Sequence, residues 1–215
     1  MSGPVKTRTY NTRRRRAAAE RTRAGILDAA RELFSATGYD GTSVAQVAAR
    51  AGVSVDTVYA SVGRKPQLLL AVHDMELADS ATPLPAGERD YVQRIREATS
   101  AREKIDTYAA ALAERLPQTV PLALALRDAG ARDPDCQALY LMLSRRRAAN
   151  MRRFAQDLLA TGELRAGVDV DQIATLTWSM NSPDYFQLLA EHGHTPTQYA
   201  RLLTQVWTRT FLPDA

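Results

Sequence analysis

Lys65 stands directly before Pro66, and the pair marks a place where this chain can hold an anion. Proline is favoured in the first turn of a helix, where its missing amide has no partner to lose. A helix starting there presents free amides and a positive dipole end beside the Lys65 ammonium, a site suited to phosphate. A second cationic feature is the arginine run at 13–16. It is either a solvated tail or an arm that contacts phosphates or enters a minor groove. Residue types with acid–base or metal chemistry are present but badly spaced for it. His192 and His194 flank Gly193, while Asp133, Asp135 and Cys136 follow a turn. Neither set has the spacing of a zinc-binding helix, and no phosphate loop or nucleophile elbow appears. A binding protein is expected rather than an enzyme, with no cofactor and no metal.

The elements that would position such an anion site centre on residues 42–62, TSVAQVAARAGVSVDTVYASV. Val44, Val47, Ala48 and Ala51 recur at three- and four-residue spacing, on one helical face. Thr42 or Ser43 supplies a cap oxygen, and Gly52 sits where positive φ would end the helix. Ser54 then caps a second short helix, whose Val55, Val58, Tyr59 and Val62 continue the apolar spacing. Two short helices joined by a tight turn containing glycine form the helix-turn-helix pattern. An ordinary helical hairpin has the same outline, but Ala48 and Gly52 allow a closer crossing. Ahead of the pair, a helix is expected over about 17–37, with Ile26, Leu27, Ala30, Leu33 and Phe34 as its apolar stripe. Gly38 is placed to end it, and Tyr39-Asp40-Gly41 reads as a turn. Residues 1–16 are polar and read as a disordered basic arm.

Charge is distributed unevenly along the 215 residues. Residues 1–67 hold 12 Lys and Arg against 5 Asp and Glu, whereas residues 68–215 hold 16 against 19. A basic third joined to a mildly acidic remainder is the footprint of a nucleic-acid module attached to a unit with another task. Cations that displace counterions from phosphates make such binding steeply salt-dependent. The single cysteine, Cys136, excludes an internal disulfide. The longest apolar runs, such as 120–126, are far too short to span a membrane. No apolar segment follows the basic N-terminal cluster, so a cytoplasmic location is expected and no membrane partner.

The stretch AGILDAARELFSATGYDGTSVAQVAARAGVSVDTVYASVGRKPQLLLAV resembles the N-terminal DNA-binding domain of the TetR (tetracycline-repressor) family of bacterial transcriptional regulators. The resemblance runs without a gap over about 21–72. It rests on an I-L-x-A-A-x-x-L-F helix, a G-Y-x-G-T turn, an A-x-x-A-G-V-S turn, T-x-Y in the recognition helix and K-x-x-L-L beyond it. Val62 departs from the usual Phe, and Asp56 and Ala60 fill slots whose identity varies. The resemblance implies that Thr42 and Ser43 touch phosphate, that Ser54, Val55, Asp56 and Thr57 meet base edges or phosphate, and that Tyr59 and Lys65 bind phosphate. Val55 and Thr57 suit a thymine methyl group. Asp56 complements the helix dipole or accepts from a cytosine amino group, the first being favoured. These assignments divide the chain into the arm, a DNA-binding domain at 17–65 and a ligand-binding and dimerisation domain at 66–215.

After a proline- and glycine-rich loop at 82–87, helical segments are expected at about 90–99, 101–116, 120–129, 134–161, 169–181, 183–192 and 196–211. No alternating strand pattern competes, so the chain reads as all-α. The resemblance implies a helical bundle that binds a small effector and pairs with a second copy through its last two long helices, here about 171–192 and 196–211. Ile173, Leu176, Thr177, Met180, Leu188 and Leu189, with Tyr199, Leu202, Leu203, Val206, Trp207 and Phe211, supply apolar surface for core and partner alike. A homodimer would place two recognition helices about 34 Å apart on a palindromic operator in double-stranded DNA. Tyr108, Leu112, Leu126, Met142, Trp178, Asn181 and Tyr185 are candidates for the effector pocket. The arginines at 145–147, with Arg152 and Arg153, read first as a solvated helix face, with an anionic ligand or salt bridges between subunits as the lesser alternatives. The function expected is a repressor released by a small-molecule effector. The alternative is a helical scaffold whose basic end binds an acidic partner, and sequence-selective DNA retention separates the two.

Overall fold

The computed structural model describes residues 7–80 and 82–214, with side chains from Arg13 onward. The described residues form ten α-helices, one 3-10 turn and no strand. Two compact units divide the chain between Val72 and His73.

The first unit contains α1 (Thr7–Gly41), α2 (Val44–Ala51), α3 (Val55–Ser61) and the first half of α4 (Lys65–Ala78). Ile26, Leu27, Ala30 and Phe34 of α1 are buried, as are Val47 and Ala48 of α2 and Val58 of α3. Each large side chain buried this way contributes roughly 1.5–3 kcal/mol, which is what holds helices too short to stand alone. Helical geometry in α1 breaks at Gly38, as its position predicts. Its φ of 71° with ψ of 179° is open to glycine and little else.

Two boundaries differ from the sequence reading. The expected disordered arm at 1–16 is helical from Thr7 onward, residues 1–6 lying outside the described residues. Arginine, alanine and glutamate are strong helix formers, and Arg16 pairs with Glu20 one turn on at 2.9 Å. The unit boundary also falls at Val72, beyond the expected Lys65, because α4 buries Leu68, Leu69 and Val72 after its opening turn.

The second unit continues α4 and adds α5 (Asp90–Glu97), α6 (Ala101–Ala129), α7 (Pro134–Leu159), α8 (Val170–Met180), α9 (Pro183–Glu191) and α10 (Pro196–Phe211). Five of these helices start by the same device. Ser100, Asp133, Asp169, Ser182 and Thr195 each accept a backbone amide from the first turn, and proline follows directly after Asp133, Ser182 and Thr195. Asp133 is thereby a helix cap rather than part of an acidic site.

A helix break was expected at Pro117, yet α6 runs through both Pro117 and Pro121. Each proline deletes an amide from the ladder. Nearby side chains add donors: the Thr119 hydroxyl to the Arg115 carbonyl at 3.0 Å, and the Arg115 guanidinium to the Ala111 carbonyl at 3.4 Å. Leu116, Val120 and Ala123 are buried along the same stretch, so packing holds what the ladder has lost.

The last helices divide their apolar residues between core and surface. Ile173, Thr177, Met180, Tyr199, Leu203, Trp207 and Phe211 are buried inside this unit. Leu176, Leu189, Leu202 and Val206 are half-buried, and Leu188 is 52% exposed. The segments expected at 169–181 and 183–192 are α8 and α9, so the single long helix over 171–192 that the resemblance implied is two, capped and restarted at Ser182 and Pro183.

Candidate nucleic-acid interface and ligand cavity

Local chemistry fixes the helix-turn-helix. Ser43 begins α2 with a reciprocal capping box: its hydroxyl accepts the Gln46 amide at 3.2 Å, and its own amide donates to Gln46 Oε1 at 2.7 Å. At the other end Gly52 takes φ 67°, its amide donating to the Ala49 carbonyl while the Val53 amide reaches Ala48 at 3.0 Å. That is a Schellman closure, and it turns the chain into α3 within three residues. Ser54 caps α3 by accepting the Thr57 amide at 3.1 Å, and the two hydroxyls lie 2.8 Å apart. Two long contacts pin the pair onto α1: Arg50 with Glu32 at 2.6 Å, and the Arg23 guanidinium donating to the Ser61 carbonyl.

The candidate DNA-contacting residues separate into two groups. Ser43, Ser54, Asp56 and Tyr59 are exposed, Tyr59 by 49%, and Val55 and Thr57 are half-buried beside them. Together they give α2 and α3 a polar outer face over the apolar inner one. Thr42 belongs elsewhere. It is only 2% exposed, and its hydroxyl lies 2.8 Å from the Gly38 carbonyl and 3.0 Å from Thr37 Oγ1. Its side chain therefore builds the turn after α1. Lys65 is half-buried with its ammonium 4.1 Å from the centroid of the Tyr39 ring. Tyr39 thus holds the lysine in place, and the sequence reading had given it only a turn.

The second unit contains a cavity of about 160 Å³. Its apolar wall includes Leu112, Leu116, Val120, Ala123, Met151 and Phe154, alongside the proline-containing stretch of α6. Of the residues expected in a pocket, Tyr108, Leu112 and Asn181 line it. Leu126, Met142, Trp178 and Tyr185 do not. Leu126 is fully buried and Met142 lies at the surface. Trp178 donates to the Ser144 carbonyl at 3.3 Å, and Tyr185 packs against Tyr199.

The polar part of the wall is a connected group. Asn181 donates to the Tyr108 hydroxyl at 2.7 Å and accepts from Arg147 at 2.6 Å. Burial, then the neighbouring Tyr91, raises the Tyr108 phenol well above its usual range, so it stays protonated. Arg146 instead makes a two-pronged pair with Asp74. Burial alone would raise the Asp74 carboxyl, but hydrogen bonds and charge from His73 and Arg146 outweigh it and bring it down to about 2. Arg89 was missed as a wall residue, and Arg146 and Arg147 line the cavity although a solvated face had been preferred for them over an anionic ligand.

These features coincide with known proteins. The description "Bacterial regulatory proteins, tetR family" matches residues 26–72. The HTH-type transcriptional repressor Rv3405c of Mycobacterium tuberculosis is 35% identical over 170 residues, covering 73% of this chain and 89% of that protein. Among solved structures, FadR from Bacillus subtilis in complex with stearoyl-CoA is similar in fold, with a TM-score of 0.64 at 18% identity over 85% of this chain and 96% of that one. NalD, the secondary repressor of the MexAB-OprM multidrug efflux pump in Pseudomonas aeruginosa, gives 0.65 at 19% identity over 92% and 100%. A capped helix-turn-helix in one unit and an all-helical second unit define a DNA-binding transcriptional regulator. The chain belongs to the tetR family of bacterial regulatory proteins.

Proposed function

We propose that this protein is a cytoplasmic repressor that binds a palindromic operator as a homodimer and is released when a small molecule enters the cavity of the second unit. The observation that carries the DNA reading is the two-sided helix-turn-helix. Val47, Ala48 and Val58 are buried, while Ser43, Ser54, Asp56 and Tyr59 stand exposed on the opposite side. In this reading Ser43, Tyr59 and Lys65 hold phosphates and fix the register. Ser54, Val55, Asp56 and Thr57 then meet the major groove. A seven-residue recognition helix makes too few contacts alone, so two copies are needed for useful specificity. The half-exposed Leu188, with Leu202 and Val206, supports the last helices as the seam between copies.

Release follows if the ligand binds one spacing of the two recognition helices better than the other. The cavity supports such a ligand because it is apolar with a few convergent polar groups. Selection of bound sequences from random DNA at low salt, using the full chain, tests the reading. It expects an enriched inverted repeat whose affinity falls steeply with salt. No enriched sequence at any salt would end it.

A further inference from the structure

Among the described residues of the second unit, Arg115 and Lys104 are buried cations with close acceptors and lie outside the cavity wall. Arg115 meets Asp90 at 3.0 Å and Glu114 at 2.7 Å. The Lys104 ammonium meets the Ile95 carbonyl at 2.7 Å and the Arg96 carbonyl at 3.4 Å. Arg89 is 2% exposed and lines the cavity, yet its Nε reaches no acceptor and no carboxylate pairs with it among the described residues. Arg147 lines the same cavity and has only neutral acceptors, the Trp178 carbonyl and Asn181 Oδ1, with its guanidinium 5.2 Å from the Trp178 ring centroid. Of the wall's acidic residues there is only Asp157, against Arg89, Arg96, Arg146, Arg147 and Arg153. An uncompensated cation away from water is costly. Arg89, buried, and Arg147, half-buried, stand around one apolar cavity without a carboxylate partner, a wall complementary to an anion.

We infer that the cavity takes an amphipathic organic acid, with its carboxylate against Arg89 and Arg147 and its apolar body against Leu112, Leu116, Val120 and Phe154. The assignment rests on the effector reading above and names the chemical class of that effector. The protonated Tyr108 hydroxyl stands within the same wall, accepting from Asn181 at 2.7 Å and donating to Met151 Sδ at 3.3 Å. A neutral ligand of equal shape leaves both guanidinium groups uncompensated, and a cationic one is repelled.

The test uses the full-length protein with its selected operator and two matched probe pairs, decanoate with decanamide and 4-phenylbutanoate with its amide. Calorimetry reads binding, and fluorescence anisotropy of the labelled operator reads release. At least one acid binds about tenfold to a hundredfold tighter than its amide, the range of a charge-assisted hydrogen bond. Arg89→Gln erases that preference, and Arg89→Lys keeps part of it. Equal affinity of acid and amide, failure of both acids to bind, or an undiminished preference in Arg89→Gln overturns the inference. The comparison of acid and amide on the unaltered protein stands even if the variants misfold. Binding of an acid without operator release supports the acid site and overturns the effector reading. Release by an amide as effective as its acid does the reverse.

Discussion

Thr42→Val separates two roles for one hydroxyl. The side chains are nearly isosteric, so the substitution opens no cavity at this buried site. What changes is a count of protons. Thr37 and Thr42 have one hydroxyl proton each, and three contacts draw on them: Thr37 with the Leu33 carbonyl at 2.9 Å, Thr42 with the Gly38 carbonyl at 2.8 Å, and the two hydroxyls with each other at 3.0 Å. At any moment two of the three are donated. Valine leaves one proton and deprives the Gly38 carbonyl of its buried donor. The net loss is about 1–2 kcal/mol, one hydrogen bond with part of the desolvation cost of its stranded acceptor. For a chain of this size that lowers Tm by about 2–8 °C. Thermal unfolding by circular dichroism measures it, with operator affinity read well below the transition. Affinity is expected to stay within about threefold, since a hydroxyl hidden in the turn positions nothing on phosphate directly. An unchanged Tm with a tenfold loss of affinity would refute the reasoning.

Three further outcomes are expected. Lys65→Gln lowers the slope of log affinity against log salt by about 1.8 for the dimer, the share of one phosphate contact in each copy; an unchanged slope means that the ammonium meets no phosphate. Asp74→Asn destabilises the protein at pH 7 by about 2 kcal/mol, because the folded carboxyl at about 2 lies below its unfolded value near 3.8. That stability is fully present above about pH 4 and is lost as pH falls towards about 2, so urea midpoints of wild type and variant should converge across this window. Leu188→Glu places a charge on the proposed seam and should shift sedimentation towards monomer at micromolar concentration, with loss of operator binding and little change in helicity.

The DNA-binding unit was legible because its instructions are local. Ser43, Gly52 and Ser54 each act within four residues, and cap oxygens and positive-φ glycines are visible without knowing what packs where. Thr42 and Ser43 show the limit of that method. Adjacent hydroxyls look equivalent in sequence, but only the pleat of the turn decides which one is buried. In the second unit, residue type did not tell which aromatic faces a cavity and which faces core, as Trp178 and Tyr185 show. The arginine run at 145–147 misled by adjacency. Successive helical residues point about 100° apart, so three neighbours cannot share one face. Arg147 stands four residues after Leu143 and four before Met151, both buried, and that spacing placed it on the inner stripe. Arg89 had no such signal, since its burial depends on the loop before α5.

The stacked rings at the heart of the second unit make this protein its own optical probe. Tyr108 forms part of the cavity wall on one side and lies 5.8 Å from the Trp207 ring at an interplanar angle of 15° on the other. Trp207 is fully buried, and its indole nitrogen finds no acceptor. An indole so isolated from water emits at short wavelength, and a ligand resting on Tyr108 is one ring away from it. Occupancy of the cavity is expected to change the intensity of the Trp207 emission over that of the half-buried Trp178, with no label attached.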